Sequence, residues 1–424
     1  MPGSKATESA VKRSLLQRIY GSFFYVGLLY PVLIAVLASP AVQRHATFQH
    51  ALKFPFFVEY DTPEKYSLAP GKTLNTHFST PDNCTLGAWF VLADPYYQTL
   101  RSTAPSRLSP WDESTVLDAI HTHPTILFLH GAGGTRAGSA RVEAVRAFSS
   151  RLHANVFAID YRGFGDSSGT PSASGLALDA YTAWSWLLER GAAPEDIVIV
   201  GESLGTGVGG QLARRLAAEG VRPRGVALLA PFSSVSRLVE SYALFGIPLL
   251  QPLQSFAWGV KLLKRIVRVE FNTLEAVVDF NAPTLIAHAQ DDMEIPHAHS
   301  RTLIDALLEP LLPAASVQLP SAPGKTLTTE EFLAFRKQQE ERSARRGEIV
   351  KKTEVPTFGV IEEFRGVRAP VVYVETFWGS HAMIGAQEGV QDEMAKLFGL
   401  GAYRAQFKRD DESVVDRILH HLVD

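Results

Sequence analysis

The run Ile197-Val198-Ile199-Val200-Gly201-Glu202-Ser203-Leu204-Gly205-Thr206-Gly207 constrains this chain more than any other stretch. Four consecutive β-branched residues predict a strand buried on both faces. Gly201 to Gly205 then fits G-x-S-x-G, in which a strand turns at once into a helix and holds the serine hydroxyl out on a strained turn. Glycine is demanded two residues to either side, because a side chain there would strike neighbouring backbone. The five-residue pattern alone is weak. The apolar strand before it and the amphipathic run Gln211-Leu212-Ala213-Arg214-Arg215-Leu216 after it supply the missing context. The competing reading is an ordinary glycine-rich strand–helix turn.

The rest of the chain supplies a setting for such a turn. Thr125 to Leu129, Val156 to Ile159, Gly225 to Ala230, Thr284 to His288 and Val371 to Val374 read as further buried strands. Helical spacing separates them, as in Arg141 to Leu152 (Val142, Val145, Phe148, Leu152) and Leu176 to Glu189. That alternation predicts an α/β class: right-handed crossovers and a mostly parallel central sheet with helices on both faces. Thr73 to Phe78 and Leu86 to Leu92 predict an antiparallel hairpin opening the sheet. The 424 residues suffice for one large domain, and their single cysteine, Cys84, excludes an intrachain disulfide. A net charge of −3 gives no reason to expect a nucleic-acid partner.

Chemistry-bearing residues fall at the ends of these strands. His130-Gly131-Ala132-Gly133-Gly134 is a short glycine-rich loop. The backbone N–H groups of Ala132 and Leu204 are the candidates for an oxyanion hole beside Ser203, the nucleophile. After the strand at Thr284, Asp291 and Asp292 compete for the role of acid. Asp292, four residues before Pro296, is preferred, with Asp291 read as a turn or helix-cap residue. His381, in the loop after the last strand, is the base. Ser203, Asp292, His381 is also the chain order of α/β-hydrolases. His297 and His299 suggest a solvated helix start rather than a metal site, and no metal or organic cofactor is expected.

The amino terminus is different in kind. No charged residue occurs from Ile19 to Gln43, and the apolar part, 19–38, is about 20 residues long, enough to cross a bilayer. Its apolar residues surround the helix, and Lys5, Lys12, Arg13 and Arg18 precede it. The expectation is a cytosolic tail (1–18), a single transmembrane signal-anchor (19–38), a linker (39–70) and a luminal domain (71–424). A cleaved signal peptide and a buried core helix are the alternatives. Asn83-Cys84-Thr85 is an N-glycosylation acceptor at the expected hairpin tip, in keeping with a luminal domain.

Leu129 to Arg136, Asp160-Tyr161-Arg162-Gly163-Phe164-Gly165-Asp166-Ser167, Gly201 to Gly207 and Asp291 to Pro296 together resemble the membrane-anchored α/β-hydrolase serine hydrolases that act as monoacylglycerol and lysophosphatidylserine lipases. The similarity spans roughly residues 120–300. It implies the α/β-hydrolase fold with a cap insertion, lipid-ester substrates and residence in the endoplasmic reticulum or another secretory membrane. Glu202 departs from the pattern, since many relatives carry another polar residue such as His there. An insertion at about 310–368, charge-dense between Glu330 and Lys352, lengthens the interval from acid to base; its middle reads as an exposed helix or mobile excursion.

A cap over the nucleophile is expected at about 231–281. There Phe232, Leu244, Phe245, Phe256, Trp258 and Leu262 would exclude water or simply pack, and Lys261, Lys264, Arg265 and Arg268 would face an anionic headgroup or solvent. The function expected is cleavage of acyl esters of monoacylglycerols or lysophospholipids through an acyl-enzyme. A thioesterase or peptidase on the same fold and a catalytically silent membrane scaffold are the competitors.

Overall fold

A computed structural model describes residues 29–404 apart from 33, 37, 104–111, 242–250, 268–270 and 318–326. The strands are β1 (Thr73–Ser79), β2 (Thr85–Val91), β3 (Thr125–Leu129), β4 (Asn155–Ile159), β5 (Ile197–Glu202), β6 (Gly225–Leu229), β7 (Thr284–Ala289), β8 (Lys351–Val355), β9 (Gly359–Arg365) and β10 (Pro370–Thr376). They form one sheet in the order β1-β2-β4-β3-β5-β6-β7-β10-β9-β8. From β4 to β10 in that order, all neighbours are parallel; the antiparallel pairs lie at the two ends. This is the α/β-hydrolase arrangement, with helices packed on both faces.

The β-branched run explains why β5 sits at the centre. Its six residues are all buried. Ile197 and Ile199 join the apolar layer on one face, and Val198 and Val200 the layer on the other, as the two-residue strand period requires. The Leu204–Ala218 helix follows without a linking residue beyond Ser203 and packs back on β5. The Ser139–Ser150 and Ala173–Glu189 helices bury one flank each in the same way. Ser172 caps the second of these by accepting from the Gly175 N–H at 3.0 Å.

Two regions differ from the sequence expectation. Residues 39–70, expected as a linker, contain the Pro40–Phe48 helix and lie docked against the domain. The Phe48 side chain is buried, and Trp89 Nε1 donates to the Tyr60 carbonyl at 2.9 Å. Within 310–368, the charged middle is an exposed helix, Thr329–Ile349, one of the two forms expected for it, opened by a capping box between Thr328 and Glu331. The strands after it, β8 and β9, extend the sheet and were not anticipated. Their pattern hides because β9 turns a carboxylate inward: buried Glu362 is matched by Arg301 at 3.0 Å and Arg346 at 3.3 Å. The edge strand β8 carries exposed Lys351 and Lys352, a charged edge that discourages pairing with another chain.

Residues 29–32 and 34–36 are helical, with Leu29, Val32 and Val36 exposed. The remainder of the segment expected to span a bilayer, residues 19–28, 33 and 37, lies outside the described residues apart from Ala38. No helix among the described residues is long and apolar enough to cross a membrane. Between β6 and β7 run the short helices Val235–Ser241, Gln251–Gln254 and Thr273–Val277 and the longer Ala257–Ile266. Phe232 is buried there, whereas Phe256, Trp258 and Leu262 are exposed; Leu244, Phe245 and Arg268 lie outside the described residues.

Candidate active site

Ser203 occupies the turn between β5 and its helix with φ 52° and ψ −116°, a backbone conformation that costs a non-glycine residue energy. Neighbouring glycines make the turn possible. A Cβ on Gly201 would lie 2.3 Å from the Gly205 carbonyl oxygen, and one on Gly205 would lie 1.9 Å from that of Leu129. The Ser203 N–H donates to the Leu229 carbonyl at 2.9 Å, tying the turn to β6. Thr206 closes it from the other side, donating to the Ser203 carbonyl through its N–H at 2.9 Å and its hydroxyl at 2.6 Å.

The structure brings the three distant side chains of the sequence reading into one line. Ser203 Oγ lies 2.7 Å from His381 Nε2, and His381 Nδ1 lies 2.7 Å from Asp292 Oδ2. The carboxylate accepts from Nδ1–H, which leaves Nε2 to accept from the hydroxyl. Asp291 faces elsewhere: it accepts from the Ser380 N–H at 2.8 Å and so pins the loop that carries the imidazole. Ser380 has φ 47°, and that contact helps hold an otherwise unfavourable conformation.

Asp292 is buried and fully engaged. Its Oδ1 accepts from the N–H groups of Glu294 at 2.8 Å and Ile295 at 2.9 Å, while its Oδ2 also accepts from His288 Nε2 at 3.0 Å. His288, which the sequence reading took only as a strand residue, is thus a second imidazole on the acid. Its position four residues before Asp292 at the end of β7 was the available signal. Burial pushes the Asp292 carboxyl toward its neutral form, but hydrogen bonds from His288 and His381 outweigh it and hold the pKa well below the usual carboxylate range. Burial likewise opposes charge on His381. The hydrogen bond and charge of Asp292, with smaller help from the carboxylates of Glu294 and Glu202, reverse this and raise its pKa above the ordinary histidine value.

The loop from His130 to Gly134 lies against the nucleophile. A Cβ on Gly131 would come 3.0 Å from Ser203 Cβ, so only glycine fits without displacement. Gly133 and Gly134 donate their N–H groups to the Phe48 and Leu52 carbonyls at 2.9 and 2.6 Å, so the chain preceding the sheet covers this loop. Among the described residues, neither Ala132 N–H nor Leu204 N–H donates to a protein acceptor. Leu204 is the first residue of its helix, where unpaired N–H groups and the helix dipole favour a negative oxygen.

Behind the loop lies a buried ionic cluster. Arg136 is enclosed completely and donates through Nη1 to Asp160 at 2.5 Å and Asp166 at 2.7 Å, and through Nη2 to Asn75 at 2.7 Å. Its guanidinium stacks 3.9 Å above the Tyr60 ring. His299, one of the two histidines weighed for a metal, is buried with Nδ1 2.9 Å from the Ser233 hydroxyl. Asn83 sits exposed at the β1–β2 turn with φ 64°.

The chain has counterparts among known proteins. The family model described as "Alpha/beta hydrolase family" matches residues 126–387. Lysophosphatidylserine lipase ABHD12 of Danio rerio is 30% identical over 290 residues, covering 68% of this chain and 72% of that protein. Its namesake in Rattus norvegicus is 31% identical over 291 residues, covering 69% and 68%. Among solved structures, an alpha-beta hydrolase from Vibrio vulnificus superposes with a TM-score of 0.50 at 16% identity, over 84% of this chain and 94% of that one. With the elbow, the sheet order and these matches in agreement, the chain belongs to the alpha/beta hydrolase family.

Proposed function

We propose that this protein is a serine hydrolase that releases the acyl chain from a single-chain lipid ester, a lysophospholipid or monoacylglycerol. The observation that carries the reading is the unbroken hydrogen-bond chain from Ser203 through His381 to Asp292. Ser203 Oγ attacks the ester carbonyl as His381 Nε2 takes its proton, and Asp292 stabilises the resulting imidazolium. The carbonyl oxygen, now negative, is received by Ala132 N–H and Leu204 N–H. Collapse expels the alkoxide, which leaves as an alcohol with the proton from His381. Water, deprotonated by His381, then attacks the acyl-Ser203 ester and frees the fatty acid.

A lipid substrate is supported by the segment between β6 and β7, read as a cap. Its Ala257–Ile266 helix turns Trp258 and Leu262 outward beside exposed Lys261, Lys264 and Arg265, a pairing suited to an acyl chain with an anionic headgroup. The relatives are lysophosphatidylserine lipases, which makes that lipid the first to test. The proposed setting is a secretory membrane, with the amino terminus cytosolic and the hydrolase domain luminal.

Fluorophosphonate labelling tests the nucleophile: the wild type labels and Ser203→Ala does not. Matched lysophosphatidylserine, monoacylglycerol, thioester and peptide substrates then test the class. Turnover of the lipid esters is expected, abolished in Ser203→Ala. Turnover confined to the thioester or peptide would overturn the ester reading, and an unlabelled, inactive but folded wild type would favour a silent scaffold.

A further inference from the structure

Arg141 stands one turn into the Ser139–Ser150 helix, and its guanidinium is turned onto the backbone of the loop beside Ser203. Its Nη2 donates to the carbonyls of Gly131 and Ala132, each at 3.1 Å, and its Nη1 to the carbonyl of Thr135 at 3.1 Å. The Gly131 carbonyl accepts a second bond from His130 Nδ1 at 2.7 Å, and the His130 carbonyl accepts from the Tyr161 hydroxyl at 3.0 Å. Three consecutive carbonyls of the loop are therefore held. Arg141 Nε also lies 3.8 Å from the Glu202 carboxylate, so one side chain spans the oxyanion loop and the residue before the nucleophile.

A trans peptide points its carbonyl and the next N–H in opposite directions. Fixing the Gly131 carbonyl on Arg141 therefore fixes the direction of the Ala132 N–H. Fixing the Ala132 carbonyl does the same for the Gly133 N–H, which meets the Phe48 carbonyl at 2.9 Å on the other side. The loop is held from two sides: its carbonyls by Arg141, its glycine N–H groups by the chain at Phe48 and Leu52. The Ala132 N–H is left without a protein acceptor. We propose that Arg141 is the positioning residue of the oxyanion hole, aiming the Ala132 N–H at the substrate carbonyl oxygen while touching no substrate itself. This inference rests on the ester-hydrolase reading above.

Arginine suits this work because its planar fork reaches several carbonyls at once, and a lysine replacing it would engage fewer of them. Glu202 balances its charge across the elbow, which accounts for an acid at that position.

The test uses the full chain, a short water-soluble ester and an alkyl boronic acid, whose tetrahedral Ser203 adduct places an oxygen in the oxyanion hole. In Arg141→Gln, kcat is expected to fall on the order of 100-fold, as for loss of one oxyanion donor. KM should stay within about threefold and boronate affinity should fall in step with kcat, since ground-state binding does not use the aimed N–H. Arg141→Lys is expected to fold and to keep an intermediate kcat, and it replaces the glutamine variant should that one not fold. A folded variant with wild-type kcat overturns the proposal. So does a kcat loss with boronate affinity unchanged, which would mark Arg141 as merely structural. Failure of the ester reading itself would show earlier and separately, as a wild type that neither labels with fluorophosphonate nor turns over the ester.

Discussion

At the level of single residues, the site is governed by how charges are shared. In the proposed mechanism His381 must be neutral to take the Ser203 proton, and Asp292, Glu294 and Glu202 all favour its charged form. Its raised pKa therefore moves the acid limb of kcat/KM upward from the ordinary histidine value, with activity lost as pH falls through it. Glu202→Gln removes one of those carboxylates. The limb should move to lower pH, with the plateau little changed. Asp292→Asn removes the largest raising influence, so the limb should shift further down while kcat drops on the order of 10⁴-fold, the size expected when a triad acid is made neutral. A pH–rate series on a soluble ester checks both. A Glu202→Gln limb that does not move would show that this carboxylate does not act on His381.

The elements are arranged so that four loops meet at the C-terminal ends of β3, β5, β7 and β10, and buried polar ties join them as well as apolar packing. The Arg136 cluster joins the loop after β3 to the loop after β4, with both Arg136 and Asp160 fully buried. Burial raises the cost of the Asp160 charge, and Arg136 offsets it and holds that carboxyl below its usual range. Arg136→Met would leave this buried carboxylate with only His130 Nε2 at 3.1 Å and the backbone N–H of residue 136 at 2.8 Å, a loss of about 3–5 kcal/mol for a broken buried pair. Urea unfolding should register it as a lowered midpoint with an unchanged slope. A loss under about 1 kcal/mol would mean that water or a rearranged neighbour satisfies Asp160.

For the whole molecule, the β1–β2 turn provides a reporter of the proposed luminal placement. Asn83, the glycan acceptor, is exposed, the Thr85 that completes its triplet is exposed, and the turn is distant in sequence from every catalytic candidate. Luminal placement predicts that glycosidase treatment of protein from its native cell increases gel mobility and that Asn83→Gln abolishes the shift. A native band unaffected by glycosidase would count against that placement. The docked segment at 40–57 adds a mechanical consequence. This segment meets the loop beside Ser203 through the Phe48 and Leu52 carbonyls, so deleting 40–57 should impair hydrolysis of soluble esters even though residues 19–38 are kept.

What the sequence determined alone was local and covalent in reach. Gly201 and Gly205 flank Ser203 because the turn has no room for a Cβ, a requirement settled within five residues. The alternation of apolar strands and amphipathic helices likewise follows from short periods, and it was enough for the parallel core of the sheet and its class, though not for β8 and β9. The partners across the site were decided only by folding. Asp291 and Asp292 are chemically identical neighbours, yet one pins the Ser380 N–H and the other the imidazole, because the turn after β7 points them apart. His288 on the acid, Arg141 on the loop carbonyls, Glu362 facing inward on β9 and residues 40–57 on Gly133 and Gly134 left no periodic trace. Glu362 and residues 40–57 depend on hydrogen bonds between segments far apart in the chain, while His288 and Arg141 reach only four and ten residues but do so through turns whose direction no periodic pattern states.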